Sequence, residues 1–275
     1  MTADVTTIGA DSGRDIWWGH FSPGADEVLH WSVGPVECSV WRRAKEWQVS
    51  YSSGDWPDDL PSSGVLRRGG VFDPGLGNVQ RHVFVRTEAS LTMEPTLADR
   101  PVVIRSAIPI MIPPGQQVRF YVSTPLWLKI SVHGQHYPLL ETATIRLSDT
   151  WFGPSTMEGE LCYATTTNGR LSLDDLPVRA HRAITPVQIR NQGEKPFRLE
   201  KLSLPVPFLT LFDTRDHGLW TQELTLLHDD RKELTQAVFT VKPPAPYADA
   251  QVIGKARKLA DKGMLHRTFG AFFGS

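Results

Sequence analysis

Three carboxylates, Asp149, Glu158 and Glu160, flank a Gly153-Pro154 turn in the stretch RLSDTWFGPSTMEGELCYATTT, Arg146 to Thr167. Glycoside hydrolysis needs two such groups across the scissile bond, one to give a proton and one to take it or to attack. That makes this stretch the first candidate for acid–base chemistry. Its plainer reading is a hairpin. Ser148-Asp149 turns a chain through side-chain bonds to nearby backbone N–H groups, and Glu158-Gly159 starts a return strand. Trp151 and Phe152 stand beside the turn as an aromatic pair, serving either as core anchors or, where exposed, as a recognition surface.

A metal set is the next chemistry the spacing allows. His133, His136 and Glu141 in VHGQHYPLLE offer nitrogen and oxygen ligands to a divalent ion. Strand positions three apart face opposite sides, so the two histidines converge only if Gly134-Gln135 makes a turn. Otherwise they flank a turn and no cofactor is implied. His181, in LPVRAHRAITPVQIRN, is a further pocket candidate, with Arg179 and Arg182 beside it. Clustered charges of this kind form structural networks more often than reaction sites. Arg67 and Arg68 in RRGGVFDPGLGN would suit an anion, yet this glycine-rich run opens no helix and is no dinucleotide loop. No Gly-x-Ser-x-Gly elbow occurs. Cys38 and Cys162 lie in the strand-like runs VECSVW and ELCYA and read as reduced core residues.

The carboxy-terminal stretch carries a local charge excess. Lys255, Arg257, Lys258, Lys262 and Arg267 are opposed there by Asp249 and Asp261, whereas the whole chain holds 29 Lys+Arg against 30 Asp+Glu. Val252, Ile253, Ala256, Leu259 and Ala260 recur at helical spacing, so Val252 to Lys262 reads as an amphipathic helix behind the spacer PPAPYADAQ. A basic helix of this kind docks a protein, pairs with a second copy, rests on an anionic membrane surface, or folds back over an open sheet edge. Lys255, Lys258, Leu259 and Lys262 are its candidate contact residues.

Strands must position all of these groups. With 22 Gly and 21 Pro punctuating short runs of Val, Ile, Thr, Trp and Phe, the chain is spelled for β-structure broken by turns. Glu27 to Ser32, Val36 to Arg42 and Lys45 to Ser52 form a meander, and Ser53 to Gln80 reads as a long irregular connection. From Arg100 to Leu204 strands recur at sandwich spacing: Val102 to Ile108, Gln117 to Ser123, Leu126 to Val132, Thr142 to Leu147, Glu160 to Thr166, Ala183 to Arg190 and Phe197 to Leu204. Leu219 to Leu227 and Glu233 to Val241 make a further hairpin. The expected fold class is all-β, an antiparallel β-sandwich, either one large or two smaller, with a C-terminal amphipathic helix. Residues 1–79 hold the meander and long loop, 80–241 the sandwich region, and 242–275 the spacer and helix.

A chain of 275 residues is long enough to bury a substantial core. Balanced charge removes the electrostatic case for a polyanion, so nucleic acid is not an expected partner. Met1 to Asp15 lacks the basic-then-apolar order of a signal peptide, and no apolar run of about 18 residues occurs, so a soluble cytoplasmic protein is expected. The segments LSDTWFGPSTMEGELCYATTT and VRAHRAITPVQIRNQGEKPFRLEKLSLPVP resemble an uncharacterised prokaryotic domain-of-unknown-function family, over about Trp17 to Phe239. Members of it are sometimes associated with mechanosensitive channel genes, so the resemblance implies at most an accessory or regulatory role and carries over no catalytic residues. The expected function is a non-catalytic binding or accessory module that engages a protein partner or its own copy. The alternative is a β-sandwich enzyme or carbohydrate-binding protein with a pocket around Asp149, Glu158, Glu160, His133 and His136, with or without a divalent metal.

Overall fold

A computed structural model describes residues 16–57, 60–135, 137–153, 155–166, 169–174, 176–215, 218–229, 235–240, 242–245, 247–259 and 265–266. The chain is all-β and divides into two compact units. Unit 1 draws its described residues from Met1–Thr96, Pro125–Arg146 and Val178–His181, and unit 2 from Leu97–Thr124, Leu147–Pro177 and Arg182–Ser275.

Unit 1 holds β1 (Gly19–Phe21), β2 (Val28–Val33), β3 (Val36–Arg42), β4 (Glu46–Ser52), β5 (Gly64–Arg68), β6 (Asn78–Val83), β7 (Leu91–Thr96), β10 (Trp127–Val132) and β11 (Leu140–Ala143). The meander β2-β3-β4 forms where the alternation placed it. It is widened by β5 on β2 and by β6 on β4, giving the order β5-β2-β3-β4-β6. The run expected to be irregular from Ser53 therefore contains an edge strand. GVLRR is too short and too charged to signal a strand by itself, and its hydrogen bonds come from β2. The second sheet runs β1-β7-β10-β11. Leu29, Trp31, Val40 and Val49 of the first sheet and Phe21, Leu91, Met93, Leu128 and Ile130 of the second enter one core, the packing that buries two amphipathic sheets at once. Trp31 Nε1 donates to the Trp17 carbonyl at 2.8 Å, so the indole's polar tip is satisfied inside that core.

Unit 2 holds β8 (Val102–Ile112), β9 (Gln117–Pro125), β12 (Ser148–Phe152), β13 (Glu160–Thr166), β14 (Arg182–Asn191), β15 (Phe197–Leu204), β16 (Leu211–Asp213), β17 (Leu219–Thr221), β18 (Leu224–His228), β19 (Thr235–Phe239), β20 (Gln251–Gly254) and β21 (Leu265–His266). One sheet runs β12-β13-β8-β15. The other runs β20-β16-β17-β14-β18-β19-β21, with β9 also on β14. Pairing is mixed: β13 lies parallel to β8, and β14 lies parallel to β17 and β18. The expected strand Thr142 to Leu147 forms only at its start, where Thr142 and Ala143 end β11, and the next strand, β12, begins after it.

The expected C-terminal helix is corrected by the structure. Gln251–Gly254 form β20, paired antiparallel with β16 through Phe212↔Val252 and Asp213↔Gln251, and no helix follows through Leu259. Val252 and Ile253 are β-branched and lose rotamer freedom in a helix, and Gly254 weakens it further. The β16 edge meanwhile offers the segment a ladder of hydrogen bonds. Beyond β20, Arg257 Nε donates to the Leu97 carbonyl at 2.6 Å and the Lys258 N–H to the Pro207 carbonyl at 2.9 Å. This stretch covers an edge of its own unit, one of the roles open to it from sequence.

Candidate functional site

β12 and β13 pair antiparallel in the register Asp149↔Tyr163, Thr150↔Cys162, Trp151↔Leu161 and Phe152↔Glu160. Side chains alternate across a strand, so the adjacent aromatics part company. Phe152 turns inward onto Val103 and Cys162 and is 5% exposed, whereas Trp151 is 48% exposed. Trp151 is thus on a strand beside the turn, and of the aromatic pair it alone is exposed. Directly opposite stands Leu161, 45% exposed. An apolar pair sits on the outer face, with Asp149 and Tyr163 next along it.

The parallel register of β13 on β8 brings Arg100 to the same place. Its Nη1 lies 3.2 Å from Asp149 Oδ1 and its guanidinium carbon 5.2 Å from the Tyr163 ring centroid. The Tyr163 hydroxyl donates to Asp99 Oδ1 at 2.9 Å. Burial first, and donation to Asp99 second, push the phenol above its ordinary value and keep it a donor.

The connecting loop closes tightly beneath Trp151. The indole Nε1 donates to the Ser155 carbonyl at 2.8 Å, and Ser155 Oγ accepts from the N–H of Glu158 at 3.1 Å. A Cβ at Gly159 would lie 2.6 Å from the Phe152 carbonyl oxygen and 2.7 Å from Trp151 Nε1, so only glycine lets the return strand pass so near. The polar atom of Trp151 is occupied within the hairpin, and what it presents outward is ring surface.

β12 ends its sheet. The Tyr163 N–H donates to the Pro101 carbonyl, on the β8 side, at 2.9 Å. By alternation Cys162 aims its backbone groups at β12 and meets Thr150, which leaves the N–H and C=O of Asp149 and Trp151 facing away from β13. Among the described residues, no backbone hydrogen bond outside the β12–β13 ladder uses residues 148–152.

The other candidates are dispersed. Asp149 and Glu160 lie on opposite faces of the hairpin, with Asp149 beside Arg100, while Glu158 sits in the loop, so this acid–base set is not assembled. Among the described residues no group of three or more His, Cys, Asp and Glu is placed to hold a metal. His133 sits at the turn after β10, Glu141 on β11 opposite Lys129, and His136 lies outside the described residues. His181 is buried in unit 1, its Nδ1 2.7 Å from Ser62 Oγ and its ring edge-on to Trp56 at 5.8 Å. Arg67 is exposed on β5 in register with His30, and Arg68 pairs with Glu27 at 3.3 Å. Lys255, Lys258 and Leu259 are exposed but not helical, and Lys262 lies outside the described residues.

Sequence reasoning singled out Trp151 and missed Leu161, Arg100 and Tyr163. Leu161 carried a signal, since it alternates with Cys162 in ELCYA. Arg100 arrives through parallel pairing with a distant strand, which no local pattern encodes. A sequence model of the family described as "Protein of unknown function (DUF432)" matches residues 17–274. No curated protein and no solved structure matches the chain.

Proposed function

The chain belongs to the DUF432 family of proteins of unknown function, and from that membership and the geometry above we propose that it is a non-catalytic binding module whose β12 edge takes up an extended segment of a protein partner. The observation that carries this reading is the coincidence of an open strand edge with Trp151 and Leu161 exposed side by side next to it. Strand addition gains main-chain hydrogen bonds, and pockets for alternate side chains of the guest give selectivity. An aromatic anchor bordered by Arg100, Asp149 and Asp99 also has the anatomy of an interface hot spot with a polar rim. The accessory role beside a membrane channel belongs to the same proposal, with the channel's own chain as one candidate guest.

Photo-cross-linking from position 161 in cells of the native host tests it. The expected product joins this chain to a segment of one different protein. Asp149→Pro removes an outward N–H while sparing the β12–β13 ladder, as proline at a sheet edge can, and should abolish the product. Trp151→Ala should weaken association about tenfold or more. Cross-links solely between copies of this chain, or a proline variant that links as before, would overturn the reading.

A further inference from the structure

At one end of unit 1, the segment after β6 and the turn after β10 enclose a cleft of about 210 Å³, lined by Trp47, Phe84, Arg86, Glu88, His133 and Gln135 among others. For comparison, the cavity in unit 2 beside Ile104, Ile110 and Phe120 is about 20 Å³, room for about one water. The frame of the larger cleft is fixed by its backbone. The Phe84 N–H donates to the Lys45 carbonyl at 2.8 Å and the Thr87 N–H to the Ala44 carbonyl at 3.1 Å. Arg42 Nη2 donates to the Thr87 carbonyl at 2.9 Å, and the His133 N–H to the Ser90 carbonyl at 3.4 Å, tying one wall to the other. A preformed frame spares a ligand the entropy of ordering it.

The side chains divide by chemistry. Trp47 is buried and Phe84 half-buried, giving an aromatic floor, while Arg86, Glu88, His133 and Gln135 are exposed at the rim. Among the described residues these four rim side chains have no hydrogen-bond or ion-pair partner, and Arg86 does not pair with Glu88 although only one residue separates them. Nearby Arg81 behaves otherwise, reaching Glu46 Oε2 with Nε at 3.0 Å and Nη2 at 2.6 Å. The cleft therefore presents one positive and one negative group, uncommitted to each other, around an apolar floor.

We propose that this cleft binds a small zwitterion of amino-acid size, its carboxylate on Arg86, its ammonium on Glu88 and its apolar side chain on Phe84 and Trp47. A simple anion meets repulsion from Glu88 and a simple cation from Arg86, whereas a neutral molecule answers neither charge. The volume of about 210 Å³ gives room for a small molecule of amino-acid size. His133 and Gln135 offer hydrogen bonds from the facing wall. This inference is independent of the β12 edge.

Calorimetric titration of the full chain with L-leucine, L-methionine and L-phenylalanine tests it, with N-acetyl-leucine and leucine amide as controls. At least one free amino acid should bind saturably with Kd below about 1 mM. Blocking either of its charges, or substituting Arg86→Ala or Glu88→Gln, should weaken binding about tenfold or more. Both substituted side chains are exposed, so an unchanged Tm should accompany the loss, and Trp151→Ala should bind as the parent does. The proposal fails if none of the three amino acids binds, if N-acetyl-leucine binds as well as leucine, or if both charge substitutions leave affinity unchanged.

Discussion

Ser62 Oγ lies 2.7 Å from Nδ1 of the buried His181 in unit 1. The same oxygen accepts the Ala180 N–H at 3.1 Å, so one hydroxyl ties both the imidazole and the backbone beside it to Ser62. The next shell is equally tight: the His181 carbonyl accepts from Thr144 Oγ1 at 2.8 Å and from the Leu126 N–H at 3.0 Å. On the imidazole's flank sits Gly34, with φ +55°, where an added Cβ would overlap the ring. Gly34→Ala is expected to destabilise unit 1 by about 2–4 kcal/mol, combining the left-handed backbone cost with overpacking. Urea unfolding measures this, and an unshifted midpoint would refute the packing described.

Glu46 predicts an acid-sensitive term. Hydrogen bonds from Arg81, then Gln48, hold its carboxyl below the ordinary carboxylate range, and Arg43 Nη1 adds a contact at 2.9 Å. Around that range the unfolded chain binds more protons than the folded one, so stability from this group is present at neutral pH and is lost as pH falls through the lowered folded value. Glu46→Gln should flatten the decline in unfolding midpoint between neutrality and about pH 3. A decline as steep as the parent's would remove Glu46 from the account.

Cys38 and Cys162 are free and buried, and burial pushes both thiols up to about 12. The thiolate is the reactive form, so both are inert while the fold holds. Thiol-selective labelling at pH 8 should modify neither residue in the native protein and both in denaturant. Rapid native modification of either would show that its strand opens.

Gly159 tests whether Trp151 is held by its hairpin or simply rests on it. With Phe152 and Trp151 within 3 Å of its added Cβ, Gly159→Ala must displace the return strand. The expected result is a red-shifted tryptophan emission and faster amide exchange confined to residues 148–162, with the rest of unit 2 unaffected. Parent-like exchange there would mean that the loop accommodates a methyl group.

Strand-forming runs between turn signals were enough to place β3, β13 and β15 at their observed bounds: Val36, Cys38 and Val40 alternate with Glu37 and Ser39, and Phe197 and Leu199 with Arg198 and Glu200, while ELCYATT is strand-forming by composition. Such spelling failed at β20, where Val252, Ile253 and Ala256 fit helical spacing as well as strand spacing, and the open edge of β16 decided between them. The same limit explains the binding face. Trp151 announces itself by type, whereas its neighbours Arg100 and Tyr163 are assembled by a parallel register between strands about sixty residues apart. The cleft in unit 1 was invisible for a related reason: His133 stood out as a metal ligand, but Arg86 and Glu88 come to it from the segment after β6, a loop distant in sequence from its own.

Each unit is threaded from three stretches of chain that alternate with those of the other. No single protease nick can release either one intact, and no contiguous gene fragment encodes either. Recombination that swaps whole modules between genes, a common route by which domains acquire new neighbours, is closed to both halves, and change in this protein must come residue by residue.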